Sequence, residues 1–375
     1  MNSEKYTYRD NETGAEVTRL TSFRSNSNHL YFTNNSFYDG GKRIVFASER
    51  GNAHNLFSME LESGEIEQLT NFPAPPNLGR YELHMSYVSP SGTACVFFIG
   101  KELMKIDLAT KEISTIYRIP DGFRNHIVSI GADGKYAYTS VYEDAPERRQ
   151  GNSLTDFYLS YPLSKIEEIA LDGSGYKTVF EENKFIAHVN ASPTDKNKLT
   201  FCHEGGWDIV DHRLWTLDLE SGCTAKLHPC DKGECIGHEY WFADGKRIGY
   251  HGKINGKAQL GAVNFDNTND RSYAFPFNTG HIFSHDEGLI IGDGDMRGRY
   301  LRLWQLSKDG YEQPRAICLH GSSFKTQEAH VHPVLTPDGT HVLYTSDISG
   351  HNQLYLVTLP EDLSTLPLLS ELSKY

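Results

Sequence analysis

The sequence has no long hydrophobic run and no cysteine framework. No stretch of about 18 apolar residues occurs, and the N-terminal stretch MNSEKYTYRDNETG is polar throughout. The six cysteines are scattered without the spacing of a disulfide scaffold or a zinc motif, so we interpret them as reduced thiols. These absences predict a soluble, cytoplasmic protein that has no membrane partner.

Positive charge is also scarce. The chain has 36 Lys and Arg against 49 Asp and Glu, a net charge of -13, which argues against nucleic acid as a partner. Any anionic ligand would therefore need a local basic site. Only 38% of the residues are hydrophobic, but 12% are aromatic and 33 are glycine. This balance favours many short strands joined by tight turns over long helices.

A repeated pattern of short strands recurs along the 375 residues. Each unit has an alternating apolar strand, a turn with Asp-Gly or an equivalent pair, and further strands rich in Val, Tyr and Phe. The turns lie at Asp39-Gly40, Ser91-Gly92, Asp133-Gly134, Thr194-Asp195, Asp244-Gly245, Glu287-Gly288 and Asp338-Gly339. Seven units of this kind predict an all-β fold, a seven-bladed β-propeller.

The two ends of the chain predict how the propeller closes. The last unit lacks an outer strand, and AEVTRLTSF after Thr13-Gly14 resembles EIEQLTNF after Ser63-Gly64. We therefore predict that an N-terminal strand at about residues 15–23 completes blade seven, within a single domain over residues 1–375. Residues 361–375 are predicted to be a C-terminal tail, either a short amphipathic helix or a loosely packed end. The sequence carries no signal for the oligomeric state.

Six of the seven units place a histidine at one equivalent position, shortly before the turn. These are His84, His126, His188, His238, His281 and His332, while Phe32 and Thr33 occupy the position in blade one. In a propeller these positions start the innermost strands, so we expect a ring of imidazoles at one mouth of the channel. The alternative is that each histidine only satisfies backbone groups of its own blade, and we favour it for His126 and His188.

Basic residues collect in the loops that open on the same face. They are Arg50, Arg80, Arg148, Arg149, Arg213, Lys253, Lys257, Arg297, Arg299 and Lys325. Because guanidinium groups bind carboxylates through paired hydrogen bonds, they predict a polycarboxylate ligand. Arg50, Arg80 and Arg149, together with His84, are the predicted ligand contacts. The alternative, for any single residue, is an ordinary solvated loop side chain.

The stretch QEAHVHP at 327–333 adds a candidate metal site. In an extended strand His330 and His332 would leave the backbone on the same side, with Gln327 reachable from the preceding turn. His281 of the neighbouring blade would complete a neutral set of three nitrogens and one oxygen. Such a set suits Mn²⁺, or another divalent first-row ion, better than a closed zinc site. A lone H-x-H is otherwise more often a pair of ordinary loop histidines.

Several motifs carry a family resemblance. GHEYW at 237–241, HEGGWDIVDHRLW at 203–215, QEAHVHP at 327–333, GDG at 292–294 and SERGNAHNLF in blade one resemble the oligogalacturonate lyases of polysaccharide lyase family 22. The resemblance implies a cytoplasmic enzyme of pectin catabolism that cleaves short galacturonides such as digalacturonate and trigalacturonate by β-elimination with manganese. The metal ligands it implies are His281, Gln327, His330 and His332. Because the HxxSN family motif occurs here as HIFSHDEG, His281 is preferred over His285.

The resemblance also implies His238 and Arg213 as the catalytic pair. Removing the C5 proton of a uronate is difficult because the adjacent carboxylate is already negative, and a divalent ion on that carboxylate would stabilise the developing charge. His238 has a suitable ordinary pKa and is the preferred base, and general acid–base assistance is typically worth about 10² to 10⁴ in rate. Arg213 is assigned as a charge stabiliser or the alternative base.

Two other functions remain open at this point. A lyase or epimerase acting on a different uronate oligosaccharide would keep the metal and the base, and would differ in its blade-three contacts. A non-catalytic, TolB-like propeller that binds protein partners would share the turn pattern but would have no metal cluster.

Overall fold

A computed structural model describes residues 3–74, 82–151, 153–206, 209–210, 212–231, 233–275, 279–294 and 298–372. The described residues form seven antiparallel sheets, and the predicted all-β, seven-bladed β-propeller is confirmed. Each of the seven predicted turns joins two neighbouring antiparallel strands of one blade. Within the described residues, no helix is long and apolar enough to cross a membrane.

The chain divides into two compact units, residues 1–84 with 273–375, and residues 85–272. The first unit contains blades one, six and seven, and the second contains blades two to five apart from Tyr273 and Ala274 at the end of blade five. The single domain over residues 1–375 stays a prediction.

Blades one and six of the first unit each have five strands. Those of blade one are Ser27–His29, Phe37–Tyr38, Arg43–Ser48, Asn55–Glu60 and Ile66–Gln68. Those of blade six are Ile282–Phe283, Leu289–Gly292, Tyr300–Ser307, Gly310–Tyr311 and Arg315–Leu319.

Blade seven is built from both ends of the chain. Its strands, in spatial order, are Val334–Leu335, His341–Ser346, Gln353–Thr358, Glu16–Arg19 and Tyr6–Arg9. Val17 pairs with Val357, so the predicted closing strand is present, although it is shorter than residues 15–23. Tyr6–Arg9 is an additional edge strand that the sequence analysis did not predict.

The second unit has four blades of four strands each. Blade two has Tyr87–Val88, Ala94–Ile99, Glu102–Asp107 and Ile113–Arg118; blade three has Phe123–Ile130, Tyr136–Glu143, Leu163–Ala170 and Tyr176–Asn183. Blade four has Ile186–Ala191, Lys198–His203, Leu214–Asp218 and Cys223–Lys226; blade five has Cys235–Trp241, Arg247–Ile254, Lys257–Asn264 and Arg271–Ala274.

Helices are few and short. Leu154–Leu159 is an α-helix in blade three, and it begins with a capping box in which Ser153 and Asp156 bond each other's backbone N–H. The 3₁₀ helices are Arg50–Asn52, Leu83–Met85, Pro146–Arg148, Gln327–Ala329, Leu363–Thr365 and Leu369–Glu371. The last two lie in the C-terminal tail, which therefore forms two 3₁₀ turns, with Leu366 buried between them.

Within each unit, the core lies between neighbouring blades. In the first unit, Val17 packs in a cluster with Val342 and Val357 of blade seven, and each is fully buried. In the second unit, Val96, Val128 and Ile169 belong to one cluster that spans blades two and three. β-branched side chains suit this packing because they fill the space between pleated surfaces with few rotamers to lose.

Candidate functional site

Three of the predicted metal ligands come together in the first unit. Each of His281, His330 and His332 offers a ring nitrogen within 4.8 Å of the others. The ring centroids of His281 and His332 lie 4.2 Å apart, and that of His330 lies 5.4 Å from His281. His285 instead lies edge-on to the Phe283 ring, which supports the choice of His281 over His285.

The H-x-H pair converges for a different reason from the one predicted. His330 and His332 do not lie in a strand, because blade seven begins only at Val334, and the expectation of an extended strand is wrong. Gln327–Ala329 forms a 3₁₀ helix that ends at His330. His332 then adopts a left-handed backbone with φ 46°, which costs energy in a non-glycine residue. This conformation, and not strand alternation, accompanies the approach of the two imidazoles.

Asp293 holds His281 in place. One carboxylate oxygen of Asp293 accepts a hydrogen bond from the His281 backbone N–H at 2.8 Å, and the other lies 2.8 Å from His281 Nδ1. A carboxylate on Nδ1 fixes the ring so that Nε2 is left available as a metal ligand. Asp293 is fully buried. The flanking glycines of the GDG motif fit this approach, since a Cβ on Gly292 would lie 2.6 Å from Thr279 Oγ1 and Gly294 has φ +75°.

Blade one supports His332. His29 Nε2 donates a hydrogen bond to the His332 carbonyl at 2.6 Å, and His29 Nδ1 lies 2.7 Å from Thr345 Oγ1. Burial lowers the pKa of His29 to about 4, so the ring is neutral. Phe32, which replaces histidine at the blade-one position, stacks on His332 with ring centroids 5.6 Å apart and lies 5.2 Å from His281. Phe32, the exception in the histidine pattern, thus packs its aromatic ring against one side of the cluster.

The cluster fits a divalent metal. His330 Nδ1 and His332 Nε2 are buried and have no hydrogen-bond partner among the described residues. Burial and the neighbouring His281 lower the pKa of both rings, which favours the neutral imidazole that a metal requires. Buried polar atoms without partners are costly unless another group satisfies them, and a metal ion would do so. Gln327 is exposed at the start of the 3₁₀ helix.

A second cluster, in the second unit, contains Arg213. Its guanidinium donates two hydrogen bonds to the Glu204 carboxylate, at 2.9 and 2.7 Å. Glu204 follows strand Lys198–His203 and Arg213 precedes strand Leu214–Asp218, so antiparallel pairing of the two strands brings the residues together. Burial alone would raise the pKa of Glu204, but Arg213 outweighs it and lowers the pKa to about 2. Burial alone would lower the pKa of Arg213, but the carboxylate raises it overall.

His238 is exposed in the first strand of blade five. Its ring stacks on that of His251, with centroids 4.6 Å apart and an interplanar angle of 11°. The backbone of His238 is left-handed, with φ 50°, and the strand pairing shifts register between Gly237 and Tyr240. Such a bulge turns a side chain away from the direction that regular alternation would give it. Glu239, the next residue, is buried, and burial raises the pKa of its carboxyl to about 7.

The same irregularity recurs in blades three and four. The pairing shifts between Asn125 and Val128 around His126, and between Ala187 and Asn190 around His188. His188 also has a left-handed backbone with φ 49°, and its N–H donates to His126 Nδ1 at 3.3 Å. Burial lowers the pKa of His126 to about 4 and that of His188 to about 3. Their mutual contact supports the interpretation that these two histidines have a structural role.

Comparisons with known proteins decide the family. A sequence profile described as oligogalacturonate lyase matches residues 2–298. The chain belongs to the oligogalacturonate lyase family. The oligogalacturonide lyase of Pectobacterium atrosepticum is 27% identical over 96% of this chain and 97% of its own length. The oligogalacturonate lyase of Dickeya dadantii is 26% identical over the same shares of both chains.

Solved structures agree with the sequence match. An oligogalacturonate lyase in complex with manganese superposes with a TM-score of 0.86 at 27% identity, covering 97% of this chain and 98% of that one. An oligogalacturonate lyase from Vibrio parahaemolyticus gives a TM-score of 0.86 at 23% identity, with the same coverage, and supports the fold.

The predicted substrate contacts lie in different surroundings. Arg50 is buried, forms an ion pair with Glu4 and lies 5.2 Å over the Phe23 ring, so binding a substrate would require that pair to break. Arg149 is paired with Asp144. Arg80 lies outside the described residues. His84 is half-buried in a 3₁₀ helix, and its carbonyl accepts from the Tyr31 backbone. As substrate contacts, these residues stay predictions.

Three residues of the two clusters were missed by the sequence analysis. Asp293 lies within the GDG motif and Glu204 lies within HEGGW. Both motifs were identified from the sequence, but neither residue was assigned a role. His29 lies outside the repeat position shared by the other histidines. Asp293 is 12 residues from His281 and Glu204 is nine residues from Arg213 in the sequence, so only the pairing of the strands identifies each partner.

Proposed function

We propose that this chain cleaves short oligogalacturonides, such as digalacturonate and trigalacturonate, by manganese-dependent β-elimination in pectin catabolism. The observation that carries the proposal is the His281, His330 and His332 cluster, whose buried nitrogens on His330 and His332 have no partner among the described residues. The cluster occurs in a member of the oligogalacturonate lyase family, and a structure of that family is in complex with manganese. A non-catalytic binding propeller would give no reason for it.

The metal and its ligands have a defined role in the proposal. Mn²⁺ bound by His281, His330 and His332, with Gln327 as the proposed fourth ligand, would act as a Lewis acid on the substrate carboxylate and so acidify the proton at C5. Asp293 keeps His281 oriented through its Nδ1 contact of 2.8 Å. Phe32 covers one face of the His332 ring.

His238 takes the C5 proton in the proposed reaction. The electron pair of the C5–H bond then forms the C4–C5 double bond. The bond from C4 to the glycosidic oxygen breaks with its electrons on that oxygen, which takes up a proton from solvent and leaves as a hydroxyl of the released sugar. The exposure of His238 and its left-handed backbone support this assignment, because strained, accessible residues are frequent at active sites. Arg213 is a poor base because Glu204 raises its pKa, so we assign it the stabilisation of negative charge on the substrate.

Other features support the partner and the location that we propose. The ligand is a small anionic oligosaccharide, and the net charge of -13 disfavours nucleic acid. All six cysteines are free, which supports a reducing, cytoplasmic location.

The test is to incubate the purified, metal-stripped protein with digalacturonate and trigalacturonate, with and without added Mn²⁺. We expect the ultraviolet absorbance of an unsaturated uronate product to increase only in the presence of the metal. Turnover of other uronides instead would overturn the assignment of the substrate and leave the proposed mechanism unchanged. A product without a double bond would indicate an epimerase. No turnover of any uronide would overturn the proposal.

A further inference from the structure

A second group of metal-ligating side chains lies in the second unit, where blade four connects to blade five. His228, Cys230 and Glu234 each offer one ligand atom within 4.8 Å of the others. The side chains of His228 and Glu234 are only 11% and 15% exposed. The proposed lyase reaction uses none of these three residues.

The His228 ring is oriented as a metal ligand would be. Its Nδ1 lies 2.6 Å from Asp270 Oδ2, and the Tyr250 hydroxyl donates to Asp270 Oδ1 at 2.7 Å. Nε2 therefore faces the other way, 3.8 Å from the Glu234 carboxylate. That nitrogen is buried and has no hydrogen-bond partner among the described residues. A carboxylate bound to Nδ1 with Nε2 left for the metal is the arrangement that Asp293 and His281 show in the first unit.

The backbone around His228 is held in a fixed conformation. The residue is left-handed, with φ 49°, and its N–H donates to Asn267 Oδ1 at 2.8 Å. Asn267 also donates to the Lys226 carbonyl at 2.7 Å. The connection is thus anchored to the last turn of blade five, and the imidazole is placed before any ligand binds.

The charges of the group favour a cation. Glu234, Asp231 and Asp270 lie close to Cys230, and no basic side chain is paired with this group among the described residues. Burial raises the pKa of the Cys230 thiol to about 11, and the adjacent carboxylates add to the effect. A bound divalent ion would reverse this electrostatic balance, because a coordinated thiol is deprotonated.

We propose that His228, Cys230 and Glu234 form a zinc site that stabilises the connection between blades four and five. A thiolate, an imidazole and a carboxylate are the ligands that Zn²⁺ accepts, and a water would complete the tetrahedron. The thiolate gives this site a different metal preference from the first cluster, since Mn²⁺ prefers oxygen and nitrogen ligands. The two carboxylate-oriented histidines, His228 and His281, would then serve two different metals.

The test uses Co²⁺ as a spectroscopic substitute for zinc in the full-length, reduced and metal-stripped protein. We expect a thiolate-to-cobalt charge-transfer band in the near ultraviolet that saturates at one ion per chain and disappears when Zn²⁺ is added. The band should be unchanged in His330→Ala, because the first cluster contains no thiol. Cys230→Ser should lose the band, and the control Cys223→Ser, at an exposed cysteine, should keep it.

A second variant keeps the test valid if Cys230→Ser fails to fold. Glu234→Gln keeps the size of the side chain and should weaken Co²⁺ binding roughly tenfold or more while the band survives at high metal. Circular dichroism and retained lyase activity would show that both variants are folded. The proposal is overturned if the wild-type protein gives no thiolate band, if Cys230→Ser keeps it, or if Glu234→Gln binds Co²⁺ as tightly as the wild type.

Discussion

At the residue scale, Asp293 is not a proposed metal ligand, but it orients His281, which is one. It accepts from both the backbone N–H and Nδ1 of His281. Asp293→Asn leaves the size unchanged but removes the charge that fixes the His281 ring. We expect Mn²⁺ affinity to fall by about 10- to 100-fold, measured by titration calorimetry. The control Asp309→Asn, at an exposed hairpin of blade six, should bind Mn²⁺ normally. Equal affinity in both variants would contradict the role of Asp293.

Glu204 gives a prediction with a defined pH dependence. The folded-state pKa of about 2 lies below the ordinary value of 4.5, so its ion pair with Arg213 stabilises the protein above pH 4.5. The contribution is lost as the pH falls from 4.5 towards 2. Glu204→Gln would leave Arg213 in a largely buried position without its carboxylate. We expect a loss of about 3 kcal/mol in the free energy of unfolding at pH 7, and a much smaller loss near pH 2.

Urea denaturation at pH 7 and at low pH measures the effect of Glu204→Gln. Glu181→Gln is the matched control, since Glu181 forms only an exposed contact with Lys165 and should change stability by less than about 0.5 kcal/mol. A pH-independent loss in Glu204→Gln would show that packing, and not the ion pair, accounts for the effect.

The residue scale also shows where sequence reasoning reaches its limit. His281, His330 and His332 could be selected from motif and repeat position, and the structure brings them together. The left-handed backbone of His332 could not be predicted, because a non-glycine residue rarely adopts it and no local pattern encodes it. The partners Asp293 and Glu204 depend on which strands pair, and that information is not local.

At the scale of elements, the closing strand Glu16–Arg19 carries one fully buried side chain, Val17. Val17 packs in the blade-seven core and pairs with Val357. We expect Val17→Ala to destabilise the protein by about 2 kcal/mol, since two methyl groups are lost and a cavity remains. Glu16→Ala, at the adjacent exposed position, should change stability by less than about 0.5 kcal/mol. Thermal unfolding of the two variants makes the comparison, and equal midpoints would mean that the strand does not contribute to the core.

The closing strand was predictable because Thr13-Gly14 and the residues after it resemble the turn at Ser63-Gly64 and the strand that follows it. The edge strand Tyr6–Arg9 was not predicted, although Tyr6, Thr7 and Tyr8 favour strands, because the polar composition of the N-terminus outweighed this short run. Asp10 completes the hairpin by accepting from the Thr13 backbone at 2.8 Å. A four-residue strand at a sheet edge has too little pattern to be recognised alone.

At the scale of the whole molecule, the seven-fold repeat made the fold predictable. A repeat multiplies a weak local signal, so seven turns, six of which contain glycine, identify the blades even where single strands are only two residues long. The basic loops were less predictable. Arg50, Arg149 and Arg213 are paired with Glu4, Asp144 and Glu204, respectively, and a sequence shows the arginines without showing the carboxylates that neutralise them.

The proposed lyase reaction rests on a division of roles in which the His281, His330 and His332 cluster binds the metal and His238 moves the proton. It is tested most directly by measuring Mn²⁺ binding and turnover of trigalacturonate in parallel for His330→Ala, His238→Ala and the control His351→Ala, which alters an exposed histidine. We predict that His330→Ala loses both properties, that His238→Ala binds Mn²⁺ like the wild type but has no turnover, and that His351→Ala keeps both. A His330→Ala variant that still binds Mn²⁺ and turns over substrate, or an active His238→Ala variant, would contradict the account.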